Sequence, residues 1–454
     1  TAAVITNNAP GVIGNGNGST AVAGGAVTNN GTIAGSPVNV TGTSLVNNGN
    51  ITGGAVAVNV SGNVTNAGNI TGNPSVNVTG GNVTNSGNIT GTGSTTVTAT
   101  PNGTVANNGT IGATGNTTVT AAVITNNAPG VIGNGNGTTA VAGGAVTNNG
   151  TIAGAPVTIN GTTLANNGNI TGGAVTANLS GNVTNSGNVS GTNVTVLGTN
   201  ITNTGTGNIT GSGTTNVTGS GNVVNNGTVA GANTNVVGAN ITGTGSVSAT
   251  NNLSLNATAG NLTVGNATAG NVTLAATDTL TTGNVNATTN ATLTGGNVVN
   301  SGNVTAGNTV AVTGSNITNT GNITGTGTTT ATVTGNGTLT NNGTIGAAGN
   351  TTVSATPAGT ITNNANASIG NSGGSTAVNG GAVTNNGTLI FNRPDAFTVP
   401  NTLTGSGGLA YVGSDQVEAA AVDRQGNVYA AAYSNAVDYP SIGGNYWRTG
   451  EKFI

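Results

Sequence analysis

Small apolar residues recur along this chain inside a fixed phrase: apolar, any residue, Asn, small, Gly, Thr or Asn, apolar. Val27-Thr28-Asn29-Asn30-Gly31-Thr32-Ile33 and Val64-Thr65-Asn66-Ala67-Gly68-Asn69-Ile70 are two copies. Others run from Val83 to Ile89, Val183 to Val189, Val298 to Val304, Ile317 to Ile323 and Leu339 to Ile345. The phrase returns about every 20 residues, with Gly31, Gly49, Gly68 and Gly87 in one run and Gly150, Gly168 and Gly187 in another. A longer repeat overlies it: Thr1–Gly35 recurs at Thr120–Gly154 with one change, Ser19 to Thr138, and a looser copy spans Thr360 to Leu389.

Alternating Val, Ile and Thr, punctuated by Gly and Asn, predicts short strands joined by turns. Gly and Asn are too frequent, and β-branched residues too dense, for helix. A unit this short cannot enclose a core alone and must stack on its neighbours. The pattern therefore predicts an all-β, right-handed parallel β-helix of about 20 coils, on the order of 100 Å long at one strand spacing per coil. Residues 250–296 lose the Asn-x-Gly slot but keep the alternation, as in 252–263, and read as variant coils.

One coil can be read directly. Val27 and Ile33 point inward and stack on Val46 and Ile51, or residues nearby, each burial being worth roughly 1.5–3 kcal/mol. Thr28 and Thr32 face solvent. The glycines Gly31, Gly49, Gly68, Gly87, Gly109, Gly150, Gly168 and Gly187 mark corners, expected to need positive φ. The Asn slot holds Asn29, Asn47, Asn66, Asn85, Asn107, Asn148, Asn166, Asn185, Asn225, Asn300, Asn319, Asn341, Asn363 and Asn385. An amide both donates and accepts, so stacked amides are expected to form a hydrogen-bonded ladder and to satisfy corner backbone groups. The simpler reading is that Asn merely suits turns.

Composition narrows the function. Of 454 residues 83 are Gly, only 2% are charged, and Cys, His and Met are absent. Residues 1–390 hold no aromatic side chain and a single charged one, Asp278; all nine aromatics and the other ten charges follow residue 390. That break, with the loss of the repeat, suggests a solenoid shaft over 1–412 and a second segment over 413–454. Without a basic patch, nucleic acid is not an expected partner, and no apolar run is long enough for a membrane-spanning helix. Thr1 opens on no signal-peptide pattern, so the chain reads as a piece of something longer.

Chemistry is sparse. Polysaccharide-cleaving β-helices need carboxylates for acid–base work, and 1–390 offers Asp278 alone. Asp415, Glu418, Asp423, Asp438 and Glu451 read as turn and surface residues. Gly14-Asn15-Gly16-Asn17-Gly18 lacks the Lys and the strand–helix setting of a phosphate loop and reads as a corner. The frequent Asn-x-Thr triplets, such as Asn63-Val64-Thr65 and Asn88-Ile89-Thr90, have the form of glycosylation acceptors, and composition alone also produces them. No catalytic, cofactor-binding or metal residue is assigned, and no cofactor is expected.

With these residues in view, the chain resembles the filamentous-haemagglutinin type of bacterial adhesin, whose coils are similar to 29–33 and 269–274. Leu389-Ile390-Phe391-Asn392-Arg393-Pro394-Asp395, followed by Gly405-Ser406-Gly407-Gly408-Leu409, is similar to coils of autotransporter passenger domains. The resemblance covers roughly 1–412 and implies secretion and display at a cell surface. Residues 421–431, with Asp438-Tyr439-Pro440 and Gly443-Gly444, are similar to one blade of a bacterial β-propeller repeat, serving as a cap or as the start of a further domain. The expected function is a non-enzymatic, extracellular structural shaft of an adhesin or fibre. Its expected partners are another copy end to end, or a ligand on a host or neighbouring cell. Alternatives are a filament that self-assembles end to end and an ice-binding solenoid. The second would need a regular Thr-x-Thr column, which 95–98 and 117–120 only suggest.

Overall fold

The computed structural model describes residues 2–371, 373–392 and 403–412, with the strands Gln416–Val422, Val428–Tyr433, Arg448–Thr449 and Lys452–Phe453. It divides into two compact units, Thr1–Val236 and Val237–Ile454.

The first unit is a parallel β-solenoid. The coils stack inward-facing apolar residues in columns, and each column runs straight because the strands pair in register, like on like. Val27 lies over Leu45, Leu45 over Val64, Val64 over Val83 and Val83 over Val105. A second column stacks Ile33, Ile51, Ile70, Ile89 and Ile111. A third stacks Val40, Val58, Val78, Val97 and Val119. These side chains are at most 1% exposed. All but Leu45 are β-branched, side chains whose χ1 the strand backbone restricts and which pack well on a pleated surface. The inward partner of Val27 is Leu45; Val46 points outward at 36% exposure. The apolar residue two before the Asn is the one that faces the core. Thr28 and Thr32 are half-buried on the outer surface.

The second unit repeats this scheme with a difference. Residues 246–300 fold into long strands, Ser246–Ala257, Leu262–Ala276 and Thr279–Asn300, paired in parallel. These are coils, and one inner column carries larger residues, Leu255, Leu274 and Leu293 stacking where the first unit has Val, while Ala267 stands in the column that elsewhere holds Ile or Val. The later coils return to the Asn-ended corner, with Val298, Ile317, Leu339, Ile361 and Val383 in one column.

Phe391 is buried at 4%, on a strand that pairs in parallel with Gly408–Val412. Gln416–Val422 and Val428–Tyr433 pair antiparallel. Residues 423–427 with Asp423, Arg393-Pro394-Asp395 and the segment 434–447 lie outside the described residues.

Candidate functional site: the buried asparagine column

The site is a column of amides inside the solenoid. In the first unit Asn29 Nδ2 donates to Asn47 Oδ1 at 2.7 Å, Asn47 to Asn66 at 2.7 Å, Asn66 to Asn85 at 2.8 Å and Asn85 to Asn107 at 2.8 Å. The series continues through Asn126, Asn148, Asn166, Asn185 and Asn203 to Asn225. In the second unit it runs through Asn300, Asn319, Asn341, Asn363 and Asn385. Every donor points from the earlier coil to the later one, so the amide dipoles align and strengthen one another.

Each Nδ2 also serves the backbone. Asn66 Nδ2 donates to its own corner carbonyl, Gly68 O, at 3.0 Å and to Asn88 O of the next coil at 3.1 Å. Two N–H hydrogens thus serve three acceptors, one of them shared. The column stands where the strand stops: Asn29, Asn47, Asn66, Asn85 and the rest are each the last residue of their strand. Beyond it the backbone leaves the ladder for two residues, and both N–H groups turn to one carbonyl. Asn48 N and Gly49 N donate to Asn29 O at 2.8 and 3.0 Å. A corner like this would strand buried carbonyls in an apolar interior, at about 1–3 kcal/mol each, without the amide. Asn is thus more than a turn former here, because its side chain is buried and bonded from coil to coil.

The corner glycines are there for a different reason from the one expected. None of Gly31, Gly49, Gly68, Gly87, Gly109, Gly150, Gly168 and Gly187 adopts the left-handed, positive-φ conformation. What they lack room for is a β-carbon. At Gly49 it would run into Gly31 O, at Gly68 into Gly49 O, at Gly87 into Gly68 O and at Gly109 into Gly87 O. At Gly31, Gly150, Gly168 and Gly187 it would meet the carbonyl oxygens of Gly11, Gly130, Gly150 and Gly168. Coils stack so closely that backbone sits on backbone. Positive φ occurs instead at Gly14, Gly16 and Gly135, and at Gly133 where a strand ends.

Three members of the column that the phrase did not bring out, Asn7, Asn126 and Asn203, sit at longer corners, as Asn363 does. Their corners carry two extra residues, so Nδ2 reaches Gly11 O, Gly130 O and Gly207 O, four residues on. Counting two residues from the inward apolar position, instead of two back from Gly, would have found them. The column changes character in the second unit. Val264 and Thr282 lie in register beneath one another, two residues after Leu262 and Leu280, and both are buried. Thr282 Oγ1 donates to Asn300 Oδ1 at 3.0 Å and so begins the ladder that follows.

Outside, exposed amides form weaker columns that run the opposite way, such as Asn69 Nδ2 to Asn50 Oδ1 at 3.0 Å and Asn88 Nδ2 to Asn69 Oδ1 at 2.9 Å. In the 95–98 and 117–120 stretches Thr95 and Thr117 are buried, leaving Thr96 and Thr98 facing outward in the first. Among the described residues no group of three or more His, Cys, Asp or Glu side chains comes together. The arrangement stabilises a stack of coils. No family model matches the chain, and no curated protein or solved structure matches it.

Proposed function

We propose that the chain is the structural shaft of an extracellular bacterial surface adhesin or fibre, without catalytic activity of its own. One observation carries this reading: a buried amide column ties each coil to the next, from Asn7 to Asn225 in the first unit. Stability of that kind is distributed along an axis and focused on no pocket. The single charged side chain in residues 1–390 supports it, since a shaft facing variable surroundings gains from holding few groups that titrate. The resemblance to filamentous-haemagglutinin coils supports surface display, where the working partner is a ligand on another cell.

Antibody labelling of intact source cells, with negative-stain microscopy of the purified chain, tests the proposal. It expects label at the cell surface and isolated rods. Label confined to the cell interior would overturn it. Filaments that lengthen with protein concentration would replace the shaft by the self-assembling fibre.

A further inference from the structure

The chain is rich in Asn–Gly pairs, and Asn–Gly is the dipeptide most prone to spontaneous deamidation. The glycine backbone nitrogen attacks Cγ of the asparagine and the Cγ–Nδ2 bond breaks. Ammonia leaves with the proton given up by the attacking nitrogen, and a succinimide ring closes. Water then opens the ring at either carbonyl, giving Asp or isoAsp. Nothing is oxidised or reduced.

Among the Asn–Gly pairs, those in the corners and those in two exposed loops differ. In the corners the attacking nitrogen is engaged. Gly49 N donates to Asn29 O at 3.0 Å and Gly150 N to Asn126 O at 3.1 Å. The neighbouring amides are held as well: Asn48 Nδ2 donates to Asn30 Oδ1 at 2.8 Å and Asn167 Nδ2 to Asn149 Oδ1 at 2.9 Å. Attack would require the corner to leave the coil beneath it.

The loops after Gly14 and Gly133 differ. Asn15, Gly16, Asn134 and Gly135 are exposed. Gly16 and Gly135 have φ of 81° and 88°, and the space where a β-carbon would stand is empty at both. Asn15 Oδ1 accepts from Asn17 N at 3.1 Å and from Gly18 N at 3.3 Å, and Asn134 Oδ1 accepts from Asn136 N at 3.0 Å. Those donors polarise the amide carbonyl and remain on its oxygen as Cγ becomes tetrahedral and the oxygen gains negative charge, which is the arrangement that lowers a barrier of this kind.

We propose that Asn15 and Asn134 are modification sites, converting through a succinimide to Asp or isoAsp while the corner pairs remain amides. The first unit carries no charged side chain, so each conversion places a carboxylate on an exposed loop and leaves the buried column intact.

The test incubates the full chain, native and in concentrated urea, in mildly alkaline buffer prepared with oxygen-18 water. Digestion with a protease that does not require Lys or Arg, followed by mass spectrometry, locates the label. In the native chain Asn15 and Asn134 are expected to convert at least about tenfold faster than Asn48 and Asn149, because the corners react only after local opening. In urea the difference should vanish. Equal native rates at Asn134 and Asn149 would overturn the proposal. So would an order of rates that persists in urea, which would assign the preference to sequence alone.

Discussion

Two kinds of coil share this chain, and they solve one corner in two ways. In the first unit the chain from Asn66 to Ile70 makes a tight corner, the strand ending on Asn66 and a new one beginning at Asn69. In the second unit the strand Leu262–Ala276 runs unbroken past Val264 to Ala267, one residue shorter over the same step. Where the amide is present an extra residue is accommodated and its backbone is satisfied from within. Where Val264 or Thr282 replaces it, the residue is gone and the ladder of strand bonds continues. The asparagine is therefore tied to the shape of the corner, and an apolar residue suffices only where the corner is absent.

The largest expected effect lies in what both coil types share. A β-carbon at Gly87 would meet Gly68 O, and one at Gly283 would meet Gly265 O. Gly87→Ala and Gly283→Ala should each destabilise their coils by about 4 kcal/mol, measured as lost hydrogen-exchange protection around the site. If either is tolerated, close backbone stacking is not what selects glycine.

The next effect separates the two types. Asn66→Val gives a ladder coil the residue of a variant coil without removing its extra residue. Asn85 Oδ1 and Asn88 O then lose a donor, and the loss should be about 2–3 kcal/mol by urea unfolding. A neutral outcome would break the comparison. Thr282→Asn sharpens it from the other side. Thr282 already donates to Asn300 Oδ1, so an amide there extends the column by one rung, and stability should change by less than about 1 kcal/mol.

The smallest effect is with pH. The first unit holds no Asp, Glu, Lys, Arg, Tyr, His or Cys. Stability depends on pH only through groups that bind protons differently when folded. With none in the side chains of this unit, its unfolding midpoint should stay flat from acid to neutral pH in a calorimetric series, and a steep acid loss would contradict the assignment.

Much of this was legible in the sequence because the stack is in register: a repeat in the chain becomes a column in space. The inward Val and Ile positions, the parallel coils and the amide slot all follow from that. What stayed hidden depends on distances between coils. The glycines look like positive-φ residues until the carbonyl beneath each is seen. Leu45 and Val46 are both apolar, and only a fixed count from Asn47 says that Leu45 is inside. Asn7 and Asn126 were lost because two extra corner residues shift the glycine while the amide stays in place, and Asn203 because its longer corner puts Gly207 where the phrase expects an apolar residue.

The central claim is that the asparagine side chains inside the coils are fully engaged. Hydrogen exchange at side-chain amides of chain labelled with nitrogen-15 asparagine tests it most directly. The account predicts a distinct set of Nδ2 hydrogens exchanging as slowly as core backbone amides, alongside a fast set from surface asparagines. A single fast population, with every asparagine exchanging like a free amide, would contradict it.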